Sequence, residues 1–147
     1  RPGSAADDLP SLEELDVVLN PDGPPPELEL RAGRYVPAAA VKDALEAGAR
    51  MVVLDARPTS DWLRRRIPGA IPVPFYDLEA MFEALPRDGT WTVAYCACPH
   101  AASGRVIDAL RARGFTNTAV LDEGIVHWSE AGYPTVSGPL EHAPDAE

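Results

Sequence analysis

"TWTVAYCACPHAASGRVIDALRARG", Thr90 to Gly114, reads as a strand, a connection and a helix in one unbroken run. Its first seven residues, Thr90 to Cys96, are mostly β-branched and aromatic, the composition of a strand buried in a sheet. From Ser103 onward, Val106, Ala109, Leu110 and Arg113 recur at helical spacing, Gly114 closes the helix, and Ser103 is suited to cap its start. Both cysteines of the chain, Cys96 and Cys98, lie in the connection.

Outward from this stretch the same alternation repeats. "RMVVLDA" (50–56), "GAIPVP" (69–74), "NTAVLD" (117–122) and "GRYV" (33–36) read as strands. Between and after them, "PAAAVKDALEAGA" (37–49), "PTSDWLRRR" (58–66), "FYDLEAMFEAL" (75–85) and "EGIVHWSEAG" (123–132) read as helices, the first with Pro37 in its opening turn. Strands separated by helices of this length imply a mainly parallel five-stranded sheet, because parallel neighbours need crossovers and right-handed crossovers put helices on both faces. The fold class is therefore α/β, in three layers. Residues 1–32, with "LEELDVVL" (12–19) and the proline-rich "PDGPPPELEL" (21–30), read as a flexible acidic arm, of which Leu15, Val17 and Val18 are the part suited to dock on the body. The body spans 33–136, and 137–147 reads as a flexible tail. The chain opens on Arg1 instead of methionine, which points to a processed or internal start.

Composition narrows the function. At 147 residues, 46% hydrophobic and 24% charged, the chain can bury one ordinary core. A formal charge of −10 opposes a nucleic-acid or anionic-membrane surface, and the short cluster Arg64–Arg65–Arg66 does not offset it. No apolar run is long enough for a membrane span. Partners are thus small molecules or proteins.

In open α/β sheets, sites form where a strand's carboxyl end runs into a helix N-terminus, and Cys96 stands at such a point. Small residues follow it, so the backbone amides of 97 to 103 can converge on one atom while the helix dipole adds positive potential. An ordinary thiol is only ~3% ionised at neutral pH, and about 2.7 kcal/mol of charge stabilisation makes such a group mostly thiolate. Cys96 is the candidate nucleophile, with Ala97, Cys98, Pro99, His100, Ala101, Ala102 and Ser103 as its loop. A buried, inert cysteine at a strand end is the competing reading.

The stretch from Met51 to Thr135 resembles the rhodanese (sulfurtransferase) domain. "VVLDARPTSDWLRRRIPGAIPVP" (52–74) is similar to the family's first signature, Asp-x-Arg, an aromatic, then His-Ile-Pro-Gly-Ala; "GFTNTAVLDEGIVHWSEAGYP" (114–134) is similar to its closing one, with Trp and Gly-x-Pro. The resemblance implies a rhodanese-like α/β/α domain. It also implies that Cys96 takes a sulfane sulfur from a thiosulfate- or persulfide-type donor, holds it as a persulfide, and passes it to cyanide or a thiol, which a protein can carry. Neither metal nor organic cofactor is implied. Asp55 and Arg57 would form a buried bracket supporting the site.

The loop departs from the family. Ala102 stands where the family has an arginine, and the loop is one residue longer, a length similar to that of cell-cycle phosphatases and arsenate reductases. Those relatives rely on the arginine to hold an oxyanion, so such activity ranks below sulfur transfer unless Arg105 or the Arg64–Arg66 cluster supplies the cation. A catalytically weak binding or regulatory module is the alternative from another class. Cys98 is either a second thiol that attacks the carrier or a residue packed beneath the loop. His100 is either a cationic or proton-donating group or an exposed loop histidine. The C-x-C-x-H alternation of Cys96, Cys98 and His100 resembles metal-ligand spacing, but a curled loop would not keep the three on one face. Glu123, in place of the first glycine of a family pair, and Arg65–Arg66, in place of Gly-His, mark a divergent member.

Overall fold

The computed structural model describes residues 11–97 and 100–139. Five strands form one sheet: β1 (Tyr35–Val36), β2 (Met51–Asp55), β3 (Ile71–Pro72), β4 (Trp91–Tyr95) and β5 (Thr118–Leu121), in the order β1-β5-β4-β2-β3. Every pairing is parallel, with Val53 opposite Val93 in β2–β4 and Val93 opposite Ala119 in β4–β5. The helices are α1 (Ala38–Glu46), α2 (Thr59–Arg64), α3 (Leu78–Ala84), α4 (Ala101–Ala112) and α5 (Gly124–Glu130). None of the described helices is long and apolar enough to cross a membrane.

Side-chain alternation along the strands divides the core in two. Met51, Val53, Val93, Tyr95 and Leu121 pack with Val41 of α1 and Ile125 and Trp128 of α5. Val52, Leu54, Ala94 and Val120 face the other way, against Met81 and Phe82 of α3 and Ile107 and Leu110 of α4. All five residues of β2 are buried, as a strand covered on both faces requires. The segment before the body lies along it. Leu15, Val17 and Val18 pack on the Val52 face, while Leu19 bridges Met51 in antiparallel fashion, its N–H 2.8 Å from the Met51 carbonyl oxygen.

The structure shortens several elements and moves one start. Pro37 stands just before α1 in extended geometry (ψ 144°), where its missing N–H costs nothing, and not inside the first turn. Only Ile71 and Pro72 of "GAIPVP" pair as strand; Pro72 is tolerated because β3 is at the sheet edge, and the chain then tightens into a 3₁₀ turn at Val73–Phe75. Asp77 accepts a hydrogen bond from the Ala80 N–H at 3.3 Å, so α3 starts there instead of at Phe75. Helix α4 begins at Ala101 with His100 at its N-cap, which corrects the expectation that Ser103 caps it. Ser103 is fully buried in the first turn, its hydroxyl drawn to a sulfur instead of to a terminal amide.

Gly69 takes φ +85°, and a Cβ there would lie 2.5 Å from Leu19 Cδ2, so the turn before β3 and the docked N-terminal segment require the same glycine. Gly132 also has positive φ (+78°) but open space around the would-be Cβ. Gly132→Ala should therefore cost about 1 kcal/mol, the backbone penalty alone, and Gly69→Ala at least about 2 kcal/mol because Leu19 must move as well. Urea unfolding of the two variants checks the difference; equal losses would show that Leu19 does not press on this turn.

Candidate active site at the carboxyl edge of the sheet

Because all strands run parallel, their carboxyl ends share one edge, which carries Asp55, Tyr95 with Cys96, and Asp122. Asp55 has no exposed surface and accepts from four donors. Oδ1 receives the Arg57 backbone N–H at 2.9 Å and its Nε–H at 3.0 Å; Oδ2 receives Arg57 Nη2 and the Tyr95 hydroxyl, each at 2.7 Å. The Asp-x-Arg pair thus closes on itself as a bracket. Arg57 Nη2 also donates to the Arg65 carbonyl at 2.5 Å, and Tyr95 Oη accepts the Ile67 N–H at 3.2 Å. One carboxylate therefore fixes the ends of β2 and β4 and the residues after α2.

Cys96 follows directly. Residual exposure of Cys96 is 1%. The Ser103 N–H donates to Sγ at 3.4 Å, and the Cys96 thiol donates to Ser103 Oγ at 3.3 Å. Beyond the sulfur, the Cys96 carbonyl accepts the Ile125 N–H at 3.2 Å, tying the loop to the start of α5. On the far side of the loop, His100 Nε2 donates to the Asp122 carbonyl at 2.8 Å and to its carboxylate at 3.0 Å, and the ring stacks on Tyr35 at 4.4 Å. Arg31 holds the other oxygen of that carboxylate at 2.8 Å. Cys98 and Pro99 lie outside the described residues.

Two open clefts flank the loop. One, of about 540 Å³, reaches Ala97 and is lined by Arg57, Arg64, Arg65, Val126 and Ser129. The other, of about 470 Å³, reaches Ala102 and is lined by Val73, Tyr76, Leu78 and Arg105. An apolar groove between Leu19, Gly69 and Trp128 contains none of the site residues. The arginine cluster divides by role: Arg65 donates to Ser129 Oγ at 2.5 Å and Arg64 pairs with Asp61 at 3.1 Å, both in the first cleft, whereas Arg66 is buried over the Trp62 ring and bonded to the Trp62 and Gly138 carbonyls. Arg66 is thus part of the scaffold.

Three contacts were not legible in the sequence. The Glu123 carboxylate accepts the Ala38 N–H at 2.7 Å and so caps α1 across 85 positions. The His100–Asp122 tether and the Tyr95–Ile67 bond span 22 and 28 positions, and no local motif marks them.

Burial pushes the Tyr95 hydroxyl well above the ordinary phenol range, with the Asp55 charge and hydrogen bond adding to it. Burial, then Glu14, pushes Tyr76 up to about 12. Both groups keep their protons in the folded chain where the unfolded chain has lost them, so they stabilise fully below the ordinary phenol value, about 10, and that stability is lost as pH rises beyond it. Tyr95→Phe should cost about 1 to 3 kcal/mol near neutral pH, since Asp55 loses a donor and the Ile67 N–H an acceptor, and should make the alkaline fall in urea midpoint shallower. An unchanged alkaline slope would remove Tyr95 as its source.

Residues 37–131 match the family described as Rhodanese-like domain. Among solved structures, a rhodanese-related protein from Thermoplasma volcanium is similar at 28% identity and TM-score 0.58, over 70% of this chain and 97% of that one. The Alr3790 protein from Anabaena sp. is similar at 25% identity and TM-score 0.60, over 69% and 80%. Thiosulfate sulfurtransferase from Pseudomonas aeruginosa shares the fold at 20% identity and TM-score 0.60, over 71% of this chain; the match spans 20% of that longer chain. No curated protein matches.

Proposed function

The chain belongs to the rhodanese-like domain family, and on that premise we propose that it is a sulfurtransferase whose carrier is Cys96. The observation that supports this reading is the placement of the Cys96 sulfur at the end of β4, with the Ser103 amide and hydroxyl 3.4 and 3.3 Å away in the first turn of α4. In the thiol form the sulfur donates to the hydroxyl. On ionisation the hydroxyl hydrogen turns and donates to the sulfur, so the charge gains a second donor without movement of any heavy atom. The twelve-residue α4 adds its dipole from the same side.

The steps balance without a metal, an organic cofactor or an external oxidant. The Cys96 thiolate attacks the outer sulfur of thiosulfate; the donor's S–S bond breaks and sulfite leaves with the electron pair. An acceptor thiolate, or cyanide, then attacks the outer sulfur of the Cys96 persulfide. That S–S bond breaks, the Cys96 thiolate is regenerated, and the acceptor leaves as a persulfide or as thiocyanate.

Ala102 offers no cation at the loop's end; the cleft at Ala97 is lined by Arg57, Arg64 and Arg65, and the cleft at Ala102 by Arg105. Oxyanion turnover of the phosphatase or arsenate-reductase kind needs a bidentate arginine at that point, which ranks it below sulfur transfer. The 1% exposure of Cys96 favours a second reading, a rhodanese-like module that binds a partner and turns over little.

Intact mass separates the two. Incubation with thiosulfate should add about 32 Da to Cys96, and cyanide should remove it with release of thiocyanate. Cys96→Ser should retain under about 1% of the transfer rate, as loss of a covalent nucleophile does. A protein that gains no mass is the binding module; a Cys96→Ser protein that still transfers sulfur places the carrier elsewhere.

A further inference from the structure

Arg105 is the exception among the charged groups. The chain carries 23 carboxylate side chains against 13 lysines and arginines, so a cation in it should find a partner easily. Among the described residues, every other lysine and arginine side chain holds a carboxylate, a hydroxyl, a carbonyl or a ring, as Arg34 holds Asp108 and Arg113 holds Glu79. Arg105 holds none of these and is exposed. Its isolation follows from its place. It lies one turn beyond Ala102 on α4, at the wall of the 470 Å³ cleft, and the cleft's other walls, among them Val73, Tyr76 and Leu78, carry no carboxylate. Leu78 in the cleft wall and Phe75, which lies in the chain between the lining residues Pro74 and Tyr76, are each 38% exposed, two of the four large apolar side chains left open on the described surface.

An unpaired cation beside an apolar hollow matches one kind of ligand, an apolar group next to an anion. The opening is wide, and a small thiol in it would leave Phe75 and Leu78 in water, whereas a protein surface would cover them. We propose that this cleft docks a protein acceptor through a segment in which an aliphatic or aromatic residue adjoins Asp or Glu, the apolar side chain entering against Val73, Tyr76 and Leu78 and the carboxylate meeting Arg105. The docking surface stands on its own observations; the word acceptor rests on the sulfur-transfer reading above. Docking beside Ala102 brings the partner to the loop that carries Cys96, where a thiolate on the segment attacks the outer sulfur, takes it as a persulfide, and leaves the Cys96 thiolate behind.

Three fluorescein-labelled cysteine peptides test the surface, with Leu-Glu, Leu-Lys or Ser-Glu beside the cysteine, titrated with the Cys96→Ser protein by anisotropy. The Leu-Glu peptide should bind about five- to tenfold tighter than either other. Arg105→Glu should reverse the order of Leu-Glu and Leu-Lys, and Leu78→Asp, a second surface variant, should erase the advantage of Leu over Ser. Equal binding of the three peptides, or an order that survives Arg105→Glu, overturns the proposal. Turnover of thiosulfate-loaded protein supplies the acceptor test: the Leu-Glu peptide should receive sulfur with a KM lower by the same factor. If cyanide strips the sulfur and the bound Leu-Glu peptide receives none, the acceptor role is overturned and the docking surface stands. If thiosulfate loads nothing, the sulfurtransferase reading fails, and the anisotropy series alone decides the surface.

Discussion

A carboxylate with no access to water stands at the end of β2, and the geometry of the sheet edge follows from how Asp55 is compensated. Removing such a charge from solvent costs several kcal/mol, which only close, well-directed donors offset. Asp55 has four. Two of them come through the Arg57 guanidinium, which is thereby turned back onto its own strand end and reaches the Arg65 carbonyl; one comes from Tyr95, which in turn receives the Ile67 N–H. Strand β4, central in the sheet, is thus held at its last residue by the strand beside it. Cys96 is the next residue in the chain, so its backbone starts from a fixed point.

From that point the sulfur's surroundings are set by where α4 begins. A helix starting at Ala101 puts the third amide of its first turn, that of Ser103, within reach of Sγ, and carries the Ser103 hydroxyl to the same atom. Had Ser103 capped the helix, its hydroxyl would have been spent on a terminal amide, and the helix would have begun too late to bring that amide to the sulfur. His100 takes the N-cap position without a capping side-chain bond because its ring is occupied elsewhere, bonded to Asp122 and stacked on Tyr35. The loop is therefore pinned at both ends by β-strand termini, through Tyr95 and through Asp122.

The order of strands and helices was legible because it depends on local quantities. The apolar runs of "RMVVLDA" and "TWTVAYC" are long enough to specify buried strands, and the 3.6-residue spacing of Val106, Leu110 and their neighbours specifies α4. The Asp55–Arg57 bracket was legible through the resemblance to the family signature, since an Asp-x-Arg by itself is unremarkable. What the sequence hid are contacts between distant positions: Glu123 on the Ala38 amide, His100 on Asp122, and the antiparallel bridge of Leu19 with Met51. A capping serine has a local pattern, and that pattern pointed to Ser103; the stronger claim on its hydroxyl came from a sulfur seven positions earlier, a contact no helix rule contains. The indole N–H partners of Trp62 and Trp128, the carbonyls of Ala70 and Pro134, likewise needed the folded turns.

Charge acts on this site locally, against the sign of the whole. A chain of −10 repels a dianion such as thiosulfate at long range, but at physiological ionic strength that field decays over roughly 8 Å. The cleft at Ala97 itself presents Arg64 and Arg65, and Arg64 keeps 75% of its side chain in water despite its bond to Asp61. An exposed pair of this kind is weak enough for an incoming anion to compete for the guanidinium. Arg57 cannot be recruited in the same way, because withdrawing its guanidinium would leave the buried Asp55 with no cationic partner and only the Arg57 backbone N–H and the Tyr95 hydroxyl as donors. The arginines lining that cleft thus fall into two physical kinds, Arg57 bound into the scaffold and Arg64 free to exchange its partner.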